Sequence, residues 1–414
     1  MTSRFIWSAK NFSTRPRTCI KKEHSTSMCT LSLKEVARYY TARQGQVYCC
    51  MIDATKAFDR IRYDKLFTLL IQRGMPMCII RLLIDMYKRQ RVRTTWDGDM
   101  SNQFNTTNGV RQGGVLSPLL FSVYIDVLLT RLEESGYGCY IGHEYFGALG
   151  SADDISLLAP TVYALQKMLH ICEEFGSEYD VIYNATKTLC IYFSGRKSYR
   201  DDPPDVLLNG NKLSWVKTAK HLQKSKMSDF SGRVNSLVAN FKGINRELAS
   251  HIFRTQCYHL YGCQAWSLKA KQIDLFDVTW RKAVRKLWHV PNIARSIILP
   301  ELVDVCTVRG KAMQLFASMY NVMSCSQNAK IYLLCKISVH SAKRGIIGEN
   351  VALISDASGC AFDHLVYKPN TCDNDVKARA SVIKDITSCL ESGSIIDLFE
   401  FDELVMFKNY VACF

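Results

Sequence analysis

Asp53, Asp153 and Asp154 are the side chains of this sequence whose type and spacing suit metal chemistry. The run Phe146-Gly-Ala-Leu-Gly-Ser-Ala-Asp-Asp-Ile-Ser-Leu-Leu-Ala159 reads as an apolar segment, a two-carboxylate turn and a second apolar segment. It predicts a β-hairpin with Asp153 and Asp154 at its tip. Far upstream, Val47-Tyr-Cys-Cys-Met-Ile-Asp53 predicts a second strand ending in a carboxylate. Three carboxylates gathered at strand ends can hold two divalent cations, which align a hydroxyl with a phosphate for in-line displacement. An Asp-Asp pair alone is a weak sign, because Asp201-Asp202 ahead of Pro203-Pro204 is another and reads as a solvated loop.

The blocks around these carboxylates sharpen the pattern. In Asp53-Ala-Thr-Lys-Ala-Phe-Asp-Arg-Ile61 the ring of Phe58 follows the strand-end carboxylate. One reading sets that ring beneath an incoming sugar, with the backbone after Asp53 around a triphosphate. The other puts Phe58 in the core, with Asp59 capping a helix from about Tyr63 to Arg73. The next block, Asn108-Gly-Val-Arg-Gln-Gly-Gly-Val-Leu-Ser-Pro-Leu-Leu-Phe121, predicts a loop and then a helix. Ser117 is its expected N-cap, Pro118 its first residue, and Gly136 lies just past its expected end near Ser135. In the loop, Gly113 and Gly114 permit close backbone approach to a ligand, and Gln112 offers an amide to a base or sugar edge.

With Asp53-x-x-x-x-Phe58, Arg111-Gln112-Gly113-Gly114-x-x-Ser117-Pro118, Ala152-Asp153-Asp154 and Tyr183-Asn184-Ala-Thr-Lys187-Thr in that order, the chain resembles the reverse transcriptases of non-LTR (LINE-type) retrotransposons. The resemblance runs from about Cys19 to about Pro300. It implies an α+β fold, a polymerase palm made of an antiparallel sheet backed by helices, followed by a helical thumb. The implied divisions are a remnant of fingers at 1–45, the palm at 46–223, a helical thumb-like region at 224–336 and a C-terminal region of unknown role at 337–414. The implied reaction is RNA-directed DNA synthesis by two-metal phosphoryl transfer, on an RNA template and a DNA primer with deoxynucleoside triphosphates.

Within that resemblance Asp53, Asp153 and Asp154 match the catalytic carboxylates that hold two Mg2+ ions, with Mn2+ as a substitute. Phe58 matches the sugar-gating aromatic, and Arg111, Gln112 and Gly113 match the loop around template and nucleotide. Lys187 matches the lysine that assists protonation of the leaving pyrophosphate. It also reads as a strand-edge lysine keeping a sheet soluble. Leu208 to Trp215 and Ala219-Lys220-His221-Leu222 resemble the hairpin that grips a primer terminus, and Asn209-Gly210 is a tight-turn signal in its own right.

Three departures bear on activity. Ser151 stands where the family usually has an aromatic, only 52 residues precede Asp53 where the family has a longer fingers segment, and Gln223 replaces a usual glycine. They predict a truncated element copy with a weakened site. The rival expectations are a non-catalytic nucleic-acid-binding remnant and a nucleotidyltransferase that needs no template.

Composition sets the outer bounds. At 414 residues and 48% hydrophobic content the chain can bury a large core and is not wholly disordered. A net charge of +15 favours a polyanionic partner and salt-sensitive binding. The 17 cysteines include no Cys-x-x-Cys pair and read as reduced thiols of an intracellular protein, with nucleus or cytoplasm left open. The first 22 residues carry six Lys/Arg and no acid, so they read as a mitochondrial presequence or as a new start on a truncated element. The longest apolar stretch, Val115 to Leu129, contains Pro118 and Asp126 and is too short and polar to span a bilayer. From Arg233 to about Lys311 the pattern is helical, with Phe241, Ile244, Leu248, Ile252 and Phe253 at helical spacing. His251, Cys257, His259 and Cys263 match no zinc spacing and read as core or surface residues. Arg281, Lys282, Arg285 and Lys286 form one helical stripe, either a track for duplex phosphates or a solvated face.

Overall fold

The computed structural model describes residues 26–358, apart from residues 112, 152–153, 196–202, 217–221, 241–244, 261, 293–295, 297–298, 327 and 342–344. Gln112, Asp153, Phe241, Ile244, the Ala219-Lys220-His221 stretch and the first 25 residues therefore lie outside the described residues. The chain forms two compact units, one of Met1–Cys29 with Tyr39–Thr218 and one of Thr30–Arg38 with Ala219–Phe414.

The first unit is mixed helix and sheet. Its described elements begin with α1 (Thr26–Ala42), whose middle turns belong to the other unit. Next come β1 (Gln46–Ile52), β2 (Ala54–Thr55), α2 (Tyr63–Gln72), α3 (Met77–Lys88) and α4 (Ser117–Glu134). They are followed by β3 (Ala148–Ser151), β4 (Asp154–Ala159), α5 (Val162–Tyr179), β5 (Ile182–Tyr183), β6 (Leu189–Ser194) and β7 (Ser214–Val216). The main sheet has the order β7-β6-β1-β4-β3, antiparallel except for the parallel pairing of β6 with β7. The apolar run Val47–Ile52 fills the central strand, as a strand buried on both faces requires.

One face of the sheet is sealed by helices. Tyr48, Cys50 and Ile52 of β1, Ile155, Leu157 and Ala159 of β4, and Cys190 of β6 share a core with α2, α4 and α5. Tyr124 of α4 ties this core together by donating its hydroxyl to the Tyr179 carbonyl and accepting from the Arg62 amide at 3.3 Å. Helix α5 starts where Thr161 accepts from the Ala164 amide at 3.1 Å, and it stops at Asp180 in the left-handed region, φ 56°. Helix α4 ends as expected, with Ser135 at its C-cap and Gly136 just beyond at φ +74°.

Its start differs from expectation. Leu116 holds the N-cap position, and the buried Ser117 hydroxyl donates to the Arg111 carbonyl. A closer partner in the preceding loop takes the hydroxyl from the helix amides. Helix α2 likewise has Arg62 at its N-cap without a side-chain cap, so Asp59 does not cap it. The Asn209-Gly210 turn forms as expected, both residues left-handed at φ 49° and 73°, between the paired segments Leu207–Leu208 and Asn211–Lys212.

The described part of the second unit is helical: α6 (Leu222–Asn240), α7 (Arg246–Ile252), α8 (Lys271–Trp288), α9 (Leu299–Val303), α10 (Val308–Ser324), α11 (Ala329–His340) and α12 (Ile346–Ser358). Phe253, Trp280, Phe316 and Tyr320 are buried at its centre. The middle turns of α1 supply Glu35, which accepts from the Ile347 amide at 2.7 Å at the start of α12, and Arg38, which pairs with Glu349. Burial raises the Glu35 carboxyl, against the pull of those bonds.

Leu248 is 50% exposed on α7, and the helical run continues as a π turn at Phe253–Cys257 and a short 3₁₀ turn at Cys263–Ala265. Three cations of the α8 stripe have partners within the unit. Arg281 pairs with Asp277 at 2.6 Å, Arg285 donates to Ser296 and Lys286 donates to Asn235, each at 2.9 Å. Cys257 and Cys263 are buried while His251 and His259 are exposed, so the four split between core and surface. The cysteines from Cys49 to Cys335 are free thiols, but Cys29 is disulfide-bonded, against the expectation of reduced thiols throughout. No described helix is long and apolar enough to cross a membrane.

Candidate active site

The four sequence blocks converge on the end of β1. Strands β1 and β4 pair through Ile52↔Ile155, so the next register position opposes Asp53 to Asp154. Side chains directly opposite on antiparallel strands share a face, with Cβ atoms about 5 Å apart. That face is the one turned away from the helical core. Near the carboxylates it is not sealed: Met51, Ser156 and Leu189 are half-buried, Asp53 is half-buried and Asp154 is exposed. Ser151 pairs with Asp154 across the hairpin, which leaves Asp153 between the paired positions and outside the described residues. The predicted strand–carboxylate–hairpin arrangement thus forms, with Asp53 and Asp154 brought together.

The fourth block is latched to the first through the backbone. Strand β5 pairs with β2 in the register Ile182↔Thr55 and Tyr183↔Ala54. The Asn184 amide donates to the Asp53 carbonyl at 2.9 Å, and the Asp53 amide donates to Thr188 Oγ1 at 3.2 Å. The Asn184 side chain then organises its own turn, accepting from the Thr186 and Lys187 amides at 3.0 and 3.2 Å. Lys187 emerges exposed from that turn. It precedes β6, an interior strand of the sheet, so the strand-edge account of this lysine has no edge to act on.

The second block is latched to the turn that follows Asp53. The Val110 amide donates to the Phe58 carbonyl at 2.8 Å and the Gly109 amide to the Ile61 carbonyl at 2.9 Å. Gly109 sits at φ +88°, and a Cβ there would meet the Asp59 carbonyl oxygen at 2.7 Å, so only glycine permits this approach. Arg60 adds a third tie, with Nε donating to the Asp180 carbonyl at 3.1 Å and the guanidinium paired to the Asp180 carboxylate. Phe58 is half-buried and stacks on Phe121 of α4, ring centroids 4.5 Å apart, so it is packed on one face.

The loop of the second block is shaped by Ser117 and by glycine. The Gly114 amide donates to the Arg111 carbonyl at 3.0 Å, the oxygen that Ser117 also engages. Gly113 is left-handed at φ +80° with open space where a Cβ would stand. Arg111 is exposed, and its charge lies close enough to the phenols of Tyr63 and Tyr87 to pull their pKa values back from the rise that burial gives them.

Thr188 is the residue that sequence reasoning passed over. It is fully buried, and its hydroxyl is the side-chain partner of the Asp53 amide. Its only sequence signal is its place after Lys187 in the fourth block. Thr188→Val keeps the shape and deletes the acceptor, leaving the Asp53 amide unpaired at a cost of about 1 kcal/mol or more. The expected outcome is an unfolding free energy lower by about that amount, with Thr188→Ser close to wild type. Urea unfolding of the three proteins checks it; wild-type stability of Thr188→Val would show that the bond contributes nothing to the fold.

Asp53 and Asp154 are hard oxygen donors at an open strand end, the kind of set that Mg2+ and Mn2+ take. Among the described residues no group of three or more His, Cys, Asp or Glu forms a metal cluster, and Asp153 is not among them.

Comparison with known proteins places the chain in a family. Residues 6–227 match the family described as "Reverse transcriptase (RNA-dependent DNA polymerase)". The Pol polyprotein of the type-1 retrotransposable element R2 of Nasonia vitripennis is 32% identical over 145 residues, 35% of this chain and 14% of that protein. The corresponding polyprotein of the R2DM element of Drosophila melanogaster is 31% identical over 149 residues, 36% of this chain and 14% of its own length. The RNA-directed DNA polymerase of the mobile element jockey of Drosophila funebris is 27% identical over 179 residues, 42% of this chain and 19% of that protein. The aligned stretch is thus a small part of each of these relatives. Among solved structures, telomerase from Candida albicans aligns with 73% of this chain and 53% of its own at 11% identity, with a TM-score of 0.35.

Proposed function

The chain belongs to the reverse transcriptase (RNA-dependent DNA polymerase) family, and on that premise we propose that it copies RNA into DNA by two-metal phosphoryl transfer. The observation that carries this reading is the convergence of blocks from four parts of the sequence on the end of β1 through backbone hydrogen bonds. In this reading residues 46–223 are the palm and residues 224–336 a helical thumb-like region, with no role assigned to residues 337–414.

Asp53 and Asp154, with Asp153, would hold two Mg2+ ions, whose charge would favour ionisation of the primer hydroxyl and offset the charge of the departing pyrophosphate. The protein's part is positioning. Thr188 and Asn184 fix the backbone of Asp53 from both sides. The Arg111–Gly114 loop, with Gln112 and Gly113, brackets the template and the nucleotide, and Phe58, braced by Phe121, faces the incoming sugar. Lys187 donates a proton toward the leaving pyrophosphate. Base pairing selects the nucleotide, so these residues need only read backbone shape.

Template-directed incorporation tests the proposal. With an oligo(dT) primer on poly(rA) the chain incorporates dTTP and not dGTP. Incorporation that ignores template identity would instead make it a template-independent nucleotidyltransferase. Tight, salt-sensitive binding of the primed RNA without any incorporation would make it a binding remnant.

A further inference from the structure

The turn that carries Phe58 is anchored on three sides. Upstream, β2 pairs with β5 as far as Thr55↔Ile182. The chain then leaves the ladder through Lys56, an exposed residue in the left-handed region at φ 50°. The Asp59 amide closes the turn on the Lys56 carbonyl at 3.0 Å. A lysine in that conformation carries backbone strain, which persists only where the surroundings fix the chain. On the other strand, β5 begins two residues after Asp180, the left-handed residue at the C-cap of α5, φ 56°.

Arg60 ties the turn to Asp180. Its Nε donates to the Asp180 carbonyl at 3.1 Å, and its guanidinium pairs with the carboxylate of the same residue. One planar fork engages both acceptors, a geometry that lysine cannot reproduce. The third anchor lies downstream, where the Val110 amide holds the Phe58 carbonyl at 2.8 Å and the Gly109 amide holds the Ile61 carbonyl at 2.9 Å.

These anchors matter because stacking alone does not fix where the Phe58 ring stands. The ring lies on Phe121 at 4.5 Å and 24°, and Phe121 is buried. Stacked rings resist separation but favour many offset arrangements, so lateral sliding is cheap. The backbone therefore sets the ring's lateral position, and Arg60, two residues further on, ties that backbone to the end of α5. The rival role for the Arg60–Asp180 pair is fold stability. Its side chains are 34% and 36% exposed, and an ion pair so open to water adds little to stability.

We propose that Arg60, held by Asp180, is a positioning residue for Phe58 and sets how strictly the site prefers a deoxyribonucleotide to a ribonucleotide. It deepens the polymerase reading and rests on it for the sugar that Phe58 faces. A small lateral shift of that ring makes room for a 2′-hydroxyl, whereas slackening of a merely structural turn would affect both nucleotides alike.

The test compares incorporation of dTTP and UTP from an oligo(dT) primer on poly(rA) by the wild type, Arg60→Gln, Arg60→Lys and Asp180→Asn. Arg60→Gln is expected to lower the dTTP-over-UTP selectivity about fivefold, through a lower KM for UTP, with kcat on dTTP within about twofold of wild type. Arg60→Lys is expected to behave like Arg60→Gln, because it keeps the charge and loses the fork. Asp180→Asn keeps the backbone acceptor and suits the left-handed conformation, so a smaller loss in the same direction is expected. Hydrogen exchange of the Gly109 and Val110 amides gives a readout without turnover: both are expected to exchange faster in Arg60→Gln, with the β1 amides unchanged. Wild-type selectivity in Arg60→Gln, equal losses on both nucleotides, full rescue by Arg60→Lys, or unchanged exchange would each overturn the proposal. A wild type that incorporates neither nucleotide, with the faster exchange still seen in Arg60→Gln, would count against the polymerase reading and leave the anchoring of the Phe58 turn standing.

Discussion

Asp53→Asn is expected to lower metal-dependent primer extension by at least about a thousandfold while leaving melting temperature and primed-template binding near wild type. In the proposed mechanism the magnitude follows from losing one charged ligand of a two-metal site, several kcal/mol of transition-state stabilisation, and about 4 kcal/mol is a thousandfold in rate. The preserved stability follows from the surroundings of the side chain. Asp53 is anchored through its backbone, and its carboxylate has no hydrogen-bond or ion-pair partner among the described residues. A half-buried charge at the end of a central strand, held in place but unpaired, costs solvation and returns nothing to the fold. Steady-state extension rates with a thermal melt of the same preparations check both halves. A variant that melts well below wild type would make Asp53 a structural residue.

The second large effect lies in the fold. Arg73 and Asp126 form an ion pair at 2.7 Å, with side chains only 11% and 6% exposed, between the end of α2 and the middle of α4. Arg73 Nη1 is buried without a hydrogen-bond partner among the described residues, so the pair carries most of that guanidinium's compensation. Asp126→Leu strands a buried cation and is expected to destabilise the protein by about 3–5 kcal/mol. Adding Arg73→Met removes the stranded charge, and most of the loss is expected to return, because a buried ion pair and a packed apolar pair are often close in free energy. Urea unfolding of the wild type, both single variants and the double variant measures the cycle. Additive losses in the double variant would mean that the two residues act independently.

The parts of this fold that were legible in the sequence are those set by local pattern. The apolar run ahead of Asp53 made a strand, the two apolar runs around Ala152 and Asp153 made a hairpin, and Pro118 with Gly136 bounded α4. The Asn209-Gly210 turn needed only its own two residues. What remained hidden depended on partners far away in the chain. Nothing local announces that the Thr188 hydroxyl would meet the Asp53 amide, 135 residues earlier, or that Gly109 would lie against Asp59. Ser117 was read as a helix cap because its neighbours suit one, and the Arg111 carbonyl captured it instead. The α8 cations looked like a stripe on a helical wheel, yet Asp277, Asn235 and Ser296 engage three of them. Helix α1 was not foreseen, and its middle turns serve the second unit through Glu35 and Arg38.

Extension of a labelled DNA primer on an RNA template in Mg2+, wild type against Asp153→Asn, tests the central claim most directly. The account predicts template-directed extension by the wild type, none by the variant, and duplex binding by the variant equal to or slightly tighter than wild type, since a negative charge near phosphate is gone. Equal extension by both proteins, or collapse of binding in the variant, would contradict it.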